Sequence, residues 1–381
     1  MEGNQRKHFV ILGRGLSGNL MKGVSEGCEG AKIIATSQGT YSPDGATFAE
    51  FWPKVARYTS EEIAQQKLEM QGSVVTIVQS VGPNYSENWE YVKHAVDDAR
   101  RFGAKTINVI FPFFDLREDK DLPDRGTSLA NPRYARELAM AGADHVTFMA
   151  PHSKAGVRQF AEIFGSNVSV VEMSEIMIPA CKKMFGGNLG KLINGAPDGW
   201  NKPGDQAVEC AKSIANALHG TDKGKLFGIV KERTAPGVSS IVDFIGDVQG
   251  KNTVLADDMF AGGDTTIHAG QRLDQEGAAL VIPMAAHGLF LKGLAPFLSA
   301  RNSKGMSLFE SIITTNSLPV EKAMDEARFM FPDVDNRVNV IDLSPLVRRE
   351  IARGYELANT TDRVAEGKME RVVASLIGRG I

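Results

Sequence analysis

The chain has 381 residues, of which 43% are hydrophobic and 23% are charged, and its formal net charge is −3. These values are typical of a globular protein and do not indicate a nucleic-acid-binding surface. The length predicts about two or three domains. The three cysteines lack a CxxC spacing, so they indicate neither a disulfide framework nor a zinc site. No apolar run is long enough for a membrane span or a signal peptide, and we expect a cytoplasmic protein without a membrane partner.

Short apolar runs recur along the chain. In most of them, β-branched and apolar residues occupy both faces, which is typical of parallel strands covered on both sides. Segments with helical periodicity lie between many of them. This alternation predicts an α/β fold in which mostly parallel sheets are flanked by helices. The predicted strands are 8–12, 32–36, 74–79, 106–111, 145–150, 168–173, 191–196, 226–230, 253–256, 279–287, 311–316 and 338–343, and the clearest helices are 88–104, 205–220 and 265–278.

Two similar helix-to-strand corners, AGADH (141–145) and EGAAL (276–280), suggest two related α/β domains. We predict an N-terminal domain of residues 1–165 and a C-terminal domain of residues 166–381. The stretch from 348 to 381 is predicted to be helical and has no assigned function.

The first glycine-rich motif, GRGLSG (13–18), follows a predicted strand and matches the dinucleotide fingerprint G-x-G-x-x-G. That fingerprint also needs an acidic residue about 20 positions later, which holds a ribose hydroxyl. The next strand, KIIAT (32–36), is followed by no such residue. The motif therefore favours a plain strand-to-helix turn over an NAD site.

A second motif, VLADDM (254–259), places Asp257 and Asp258 at the carboxyl end of a buried strand. Ligands bind at this end of the strands in open α/β sheets. Two carboxylates there can accept hydrogen bonds from vicinal hydroxyls or help to hold a hydrated Mg²⁺. The alternative is that one of them caps the next helix, but Asp264 and Thr265 are better placed as caps. The motif therefore indicates a ligand site.

VLADDM resembles the phosphoribosyl-diphosphate motif of type I phosphoribosyltransferases and of ribose-phosphate diphosphokinases (PRPP synthetases). Further stretches resemble the diphosphokinases alone and follow in that family's order from about Val74 to Val347. They are FPFFDLREDKDLPDRGTS (111–128), AGADHVTFMAPH (141–152), INGAPDG (193–199) and VKERTAPG (230–237). The resemblance implies two tandem type I phosphoribosyltransferase-like domains. It also implies transfer of diphosphate from ATP to the anomeric hydroxyl of a ribosyl acceptor, with release of AMP.

The resemblance implies that the loop after residue 111 binds ATP. Its cations suit a polyphosphate, because guanidinium groups pair with phosphate oxygens or stack on adenine. The segment 41–55 loosely resembles the part of the family that reaches the adenine of a neighbouring subunit. The predicted ATP-binding residues are Arg117, Glu118, Asp119, Lys120, Tyr41 and Asp44.

By the same resemblance, His152 and Asp198 contact the Mg²⁺ of MgATP. The family usually has an acidic residue two positions before the histidine, where this chain has Ala150. Lys231 and Arg233 follow an apolar strand and precede a Pro-Gly pair, as in the family's catalytic flexible loop. Positive groups on a loop can stabilise the charge that develops during diphosphoryl transfer, so these two are the predicted catalytic residues.

The turn after Asp258 is about one residue longer than in the family, where it binds the 5-phosphate of ribose 5-phosphate. Asp264 falls where it would repel a tightly held dianion, while two glycines still allow an anion nest. Either the register has slipped and ribose 5-phosphate binds, or the pocket admits ADP-ribose, as in some divergent viral relatives. The predicted ribosyl- and phosphate-binding residues are Asp257, Asp258, Ala261, Gly262, Gly263, Asp264, Thr265 and Thr266.

The resemblance also implies a homo-oligomer, either a dimer or a hexamer. Two other functions remain open, a phosphoribosyltransferase and a catalytically silent regulatory subunit. A phosphoribosyltransferase would explain VLADDM. It would not explain the stretches REDK (117–120), APH (150–152) and KER (231–233). Retention of Lys231, Arg233, His152 and Asp198 argues against a silent subunit.

Overall fold

The computed structural model describes residues 6–35, 37–40, 47–50, 59–116, 130–186, 191–200, 205–223, 225–235, 238–360 and 370–372. Up to Val171 the elements are β1 (His8–Leu12), α1 (Gly18–Ser25), β2 (Lys32–Ala35), β3 (Ser37–Thr40), β4 (Thr47–Glu50), α2 (Ser60–Met70), β5 (Val74–Val78), α3 (Tyr85–Arg101), β6 (Thr106–Phe111), α4 (Ala130–Ala141), β7 (His145–Met149), α5 (Lys154–Phe164) and β8 (Val168–Val171).

The elements after Val171 follow the same alternation at first and then add an antiparallel pair. They are α6 (Met173–Phe185), β9 (Leu192–Ala196), α7 (Gln206–His219), β10 (Leu226–Ala235), β11 (Val238–Ile245), β12 (Asn252–Phe260), α8 (Asp264–Gln275), β13 (Leu280–Gly288), α9 (Ala295–Ser299), β14 (Ile312–Thr315), α10 (Glu321–Arg328), α11 (Val334–Arg337), β15 (Val338–Ile341) and α12 (Ser344–Thr360).

The chain divides into two compact units, Met1–Val171 with Asp342–Ile381, and Glu172–Ile341. The first unit contains a parallel six-stranded sheet in the order β2-β1-β5-β6-β7-β8, and β3 and β4 form a separate antiparallel pair. Every residue of β1 and β5 is buried, because helices cover this kind of sheet on both faces. In α3, the residues Trp89, Val92 and Val96 are buried at helical spacing and pack into the core of this unit.

The second unit contains a seven-stranded sheet in the order β11-β10-β9-β12-β13-β14-β15. Its neighbouring strands are parallel except that β11 pairs antiparallel with β10. The helix α7 begins at the N-cap Asp205, whose carboxylate accepts backbone hydrogen bonds, and it ends at the left-handed Gly220. The predicted α/β fold with mostly parallel sheets is confirmed.

The division of the chain differs from the predicted domains 1–165 and 166–381. The first unit continues through β8 to Val171, and it also includes α12, which the prediction placed in the second domain. The reason is packing, since α12 lies against β5, β6 and α1. The ring of Tyr355 stacks on His8 with centroids 4.5 Å apart, and Arg348 donates a hydrogen bond to the carbonyl of Gly23. Part of the predicted C-terminal helix is therefore α12, while 361–369 and 373–381 lie outside the described residues.

The GRGLSG motif forms the turn between β1 and α1, as a plain strand-to-helix turn would. The buried side chain of Gln79 fills the space above the turn, because its Oε1 accepts a hydrogen bond from the N–H of Gly15 at 3.3 Å. A Cβ added at Gly13 would lie 1.7 Å from the same oxygen. Close packing against Gln79 therefore explains these glycines.

His8 is expected to make the stability of the first unit depend on pH. Its Nε2 lies 3.1 Å from Thr76 Oγ1, and burial lowers the pKa of the imidazole from 6.5 to about 4. The unfolded chain therefore binds more protons than the folded chain between these values. We expect the free energy of unfolding to fall as the pH drops from 6.5 to 4, by up to about 3 kcal/mol from this group.

Urea unfolding at a series of pH values tests this expectation. The variant His8→Phe keeps an aromatic ring against Tyr355 but cannot be protonated, so the loss of stability between pH 6.5 and 4 should shrink. His268→Phe changes an exposed histidine and serves as the matched control. An unchanged pH dependence in His8→Phe would contradict the assignment.

Among the described residues, no helix is both long and apolar enough to cross a membrane.

Candidate active site

Three neighbouring strands of the second unit bring five of the predicted residues to one edge of its sheet. β9 lies between β10 and β12, with Ala196 opposite Gly228 and Gly195 opposite Leu255. Since these strands are parallel, their carboxyl ends meet at the same edge. Asp198 follows β9, Asp257 and Asp258 lie near the end of β12, and Lys231 and Arg233 lie in the second half of β10.

Asp257 and Asp258 form a crowded pair of carboxylates. Asp258 is only 7% exposed, and its N–H donates a hydrogen bond to Asp257 Oδ1 at 2.9 Å. Burial raises the pKa of Asp257 well above its usual value, and the charges of Asp258 and Asp198 raise it further. Asp198 follows β9, the parallel neighbour of β12, so the three carboxyl groups belong to one edge of the sheet. A cation or several hydroxyl donors at this edge would relieve their repulsion.

This donor set fits Mg²⁺, which prefers oxygen ligands and often binds through only one or two protein carboxylates. Within the described residues, no group of three or more His, Cys, Asp or Glu side chains is placed to hold a metal ion by itself. Of the two predicted metal residues, only Asp198 lies with Asp257 and Asp258. His152 is exposed and belongs to the first unit, where it precedes Ser153, the N-cap of α5.

The backbone next to His152 is strained. Ala150, at the carboxyl end of β7, has φ of +44°, in the left-handed region that alanine rarely adopts. Ala150 is buried, and its N–H donates to the carbonyl of Val171 at 2.8 Å, which helps to fix this conformation. Strain of this kind often occurs at functional sites, and here it lies beside a predicted metal residue.

The turn after β12 leads directly into α8. Gly263 is the N-cap residue with φ of +91°, and a Cβ there would lie 2.7 Å from the ring of Phe297. The prediction that Asp264 and Thr265 act as caps is therefore wrong, because the helix already begins at Asp264 and no described side chain caps it. The free N–H groups of its first turn, which includes Thr265 and Thr266, are suited to bind an anion.

Lys292 lies over this turn, and the sequence interpretation did not select it. Its Nζ lies 2.6 Å from Asp264 Oδ2, and this hydrogen bond lowers the pKa of Asp264. Its Cε lies 3.6 Å from the position that a Cβ of Gly262 would take. The backbone supports the contact, since the N–H of Leu291 donates to the carbonyl of Ala261 at 3.0 Å. The expected repulsion between Asp264 and a phosphate is thus offset by a neighbouring cation.

A buried polar pair lies on the next strands of the sheet. His287, opposite Met259 of β12, has its Nδ1 2.9 Å from Ser317 Oγ, and both side chains are almost completely buried. Ser317 follows β14, so this pair joins two strand ends beside the carboxylates. The two residues lie in the stretches AAHGLF (285–290) and TTNSLP (314–319). Their pairing could not be predicted from these stretches, because it depends on which strands are neighbours in the sheet.

Lys231 and Arg233 occupy a strand rather than the predicted flexible loop. β10 continues to Ala235 and pairs antiparallel with β11, with Lys231 opposite Ile241 and Arg233 opposite Ser239. The predicted ATP-binding residues Arg117, Glu118, Asp119, Lys120, Tyr41 and Asp44 lie outside the described residues. Their roles stay predictions.

Comparisons with known proteins agree on one group of relatives. Residues 228–358 match the family model of the phosphoribosyl synthetase-associated domain. A ribose-phosphate pyrophosphokinase from Haemophilus ducreyi is 28% identical over 301 residues, covering 78% of this chain and 86% of the relative. One from Chlorobaculum tepidum is 28% identical over 329 residues, covering 86% of this chain and 88% of the relative.

A solved structure has the same fold. The phosphoribosylpyrophosphate synthetase from Mycobacterium smegmatis matches with a TM-score of 0.70 and 23% identity, covering 92% of this chain and 99% of the other. At this identity the likeness is one of fold. It confirms the predicted architecture of two type I phosphoribosyltransferase-like domains.

Proposed function

We propose that this chain is a member of the ribose-phosphate pyrophosphokinase family. Its matched domain, its relatives and its fold support this membership. The predicted enzyme class, a ribose-phosphate diphosphokinase-type transferase, is confirmed by relatives of that type. The chain transfers the β,γ-diphosphate of ATP to the anomeric 1-hydroxyl of a ribosyl acceptor. The hydroxyl oxygen bonds to the β-phosphorus and loses its proton to solvent. The bond from that phosphorus to the α–β bridging oxygen breaks, and AMP leaves with that oxygen.

The observation that carries this proposal is the crowding of Asp198, Asp257 and Asp258 at one sheet edge beside a helix start. In the proposal, Asp257 and Asp258 accept hydrogen bonds from the acceptor's vicinal hydroxyls, which orients the 1-hydroxyl. The N–H groups at the start of α8 bind the acceptor's phosphate. The elevated pKa of Asp257 supports this role, since hydroxyl donors suit an electron-rich, poorly solvated pair of carboxyl groups.

The proposed role of Lys231 and Arg233 is to stabilise the charge on the diphosphoryl group and on the departing AMP. Their place in β10, next to β9 and Asp198, supports it. In the first unit, the proposed ATP-binding residues are Arg117, Glu118, Asp119, Lys120, Tyr41 and Asp44. His152 and Asp198 are the proposed residues for Mg²⁺, which when bound would neutralise the charge of the ATP phosphates.

The relatives are named for ribose phosphate, and this favours ribose 5-phosphate as the acceptor. ADP-ribose is a second candidate because of the phosphate turn. That turn is about one residue longer than in the family, and the exposed ammonium of Lys292 offers a cation for a further phosphate. We also propose that the protein is a homo-oligomer, a dimer or a hexamer, which light scattering would measure.

Parallel assays of AMP release test the function and the acceptor together. The full-length protein is given MgATP with ribose 5-phosphate, with ADP-ribose or with no acceptor, and each product is weighed by mass spectrometry. AMP and a diphosphorylated acceptor are expected in at least one of the first two reactions. No AMP with either acceptor would refute the proposal and favour a silent regulatory subunit. AMP with ADP-ribose alone would identify the altered turn as the basis of specificity.

Changing Lys292 to glutamine should affect acceptor binding more than turnover. The change leaves the carboxylate of Asp264 without its cation beside the phosphate site, so the KM for the acceptor should rise by about tenfold with little change in kcat. The free energy of unfolding should barely change, because both side chains are mostly exposed. The double variant Asp264→Asn/Lys292→Gln should recover much of the lost affinity. An unchanged KM in Lys292→Gln would remove Lys292 from the site.

A further inference from the structure

A cavity of about 380 Å³ lies in the first unit. Thr106, His145 and Val168 line it, and they are the first residues of β6, β7 and β8. The cavity therefore sits at the amino-terminal edge of the sheet, whereas the predicted ATP loop follows the carboxyl end of β6. The helix α12 forms another wall through Arg353 and Gly354. Its volume is within the range of small-molecule sites.

Among the described residues that line the cavity, Asp144 is the aspartate, and its negative charge is paired. The Oδ2 of Asp144 lies 2.5 Å from the Nη2 of Arg100 and accepts a hydrogen bond from the N–H of Ile107 at 2.9 Å. The carboxylate is also almost completely buried. It therefore offers little charge to repel an anion or attract a cation.

The charged side chain that α12 contributes to the lining of this cavity is Arg353, and its ion-pair partner Glu350 lies outside that lining. The buried carboxylate of Glu350 is shared by Arg349 at 2.9 Å and Arg353 at 3.4 Å, so two guanidinium groups face one carboxylate. His145 adds no charge at physiological pH. Burial and the nearby charge of Arg353 lower the pKa of its imidazole to about 4, which leaves it neutral at physiological pH. The charge balance of this cavity favours an anion.

Asn108 adds a hydrogen-bond donor to the cavity. It is only 3% exposed, and its Nδ2 has no hydrogen-bond partner in the part of the chain that the structure describes. A buried donor without an acceptor is unfavourable unless a ligand or water completes it. Gly354 lets α12 pack closely against this donor, since a Cβ there would lie 2.8 Å from Nδ2. Glycine within a helix is itself unfavourable, which fits a position where close approach is needed.

We propose that this cavity binds a small organic anion whose phosphate or carboxylate group pairs with Arg353. A further oxygen of the ligand accepts the hydrogen bond that Asn108 can donate. Because the cavity and the carboxyl ends of the strands lie on opposite edges of one sheet, this is a second site, distinct from the one for ATP. The inference does not depend on diphosphoryl transfer.

The test needs a signal from the cavity itself, because phosphate is also expected to bind at α8. The full-length protein is labelled with ¹³C-histidine, and the signal of His145 is assigned with His145→Gln. Sodium phosphate and sodium malonate are then titrated separately at constant ionic strength. A saturable shift of the His145 signal with either anion supports the proposal, and the tighter anion identifies the preferred group.

Three variants determine whether the shift arises from the proposed contacts. Arg353→Gln removes the charge of a mostly exposed side chain and should weaken binding by about tenfold or more. Gly354→Ala should also weaken it by displacing Asn108. Arg133→Gln, the same change on α4 outside the cavity, should leave the affinity unchanged. No saturable shift with either anion, or equal affinity in Arg353→Gln and the unchanged protein, would overturn the proposal.

Discussion

Replacing Lys231 or Arg233 by alanine is expected to lower kcat for AMP release by about 100-fold to 1000-fold, the usual effect of removing one transition-state donor. The KM values for ATP and for the acceptor should change much less, because these cations act mainly on charge that develops during the transfer. The double variant should be little worse than either single one, since both residues serve the same step.

Steady-state AMP release at saturating MgATP and acceptor measures this effect. Lys223→Ala is the matched control, because Lys223 is an exposed lysine just before β10 and should have no influence on turnover. If either single variant kept more than about a tenth of the activity, that residue would have no essential role in the transfer.

Changing Asp258 to asparagine is expected to reduce activity and increase stability at the same time. Asparagine keeps the size of the side chain, but its amide oxygen accepts hydrogen bonds from hydroxyl groups less strongly than a carboxylate does. The kcat/KM for the acceptor should therefore fall by about 100-fold. The raised pKa of Asp257 means that the folded protein binds more protons than the unfolded chain above pH 3.8. The cluster therefore destabilises the protein as the pH rises above that value, and removing the charge of Asp258 relieves this.

Urea unfolding at pH 7 should accordingly show Asp258→Asn to be more stable, on the order of 1 kcal/mol, than the unchanged protein. Asp222→Asn, in the loop between α7 and β10, is the control and should alter neither activity nor stability. A less stable and fully active Asp258→Asn would mean that Asp258 supports the fold and not the acceptor.

Local sequence was enough to predict the twelve apolar strands, because a parallel strand covered on both faces must be apolar along its whole length. It could not predict that β10 extends to Ala235. The residues after Val230 are charged and end near Pro236 and Gly237, which suggests a loop, while the strand is completed by hydrogen bonds from β11. The placement of α12 also depended on distant contacts, such as Tyr355 stacking on His8.

The candidate site shows the same limit. Asp198, Asp257 and Asp258 could be brought together from the sequence, since carboxyl ends of neighbouring parallel strands meet at one edge. Lys292 could not be placed at the site from the sequence, because its contact with Asp264 depends on how the loop after β13 crosses the phosphate turn. The only local signal was a single lysine within the apolar stretch GLFLKGL (288–294).

The transfer of an intact diphosphoryl group can be measured most directly by ³¹P NMR. The protein is mixed with MgATP and the acceptor that supports AMP release, and the spectrum is followed over time. Diphosphokinase chemistry predicts that AMP appears together with a coupled pair of signals from a diphosphate ester on the acceptor's first carbon. ADP together with a single new phosphate ester, or no new phosphorus signal with either acceptor, would contradict the proposed function.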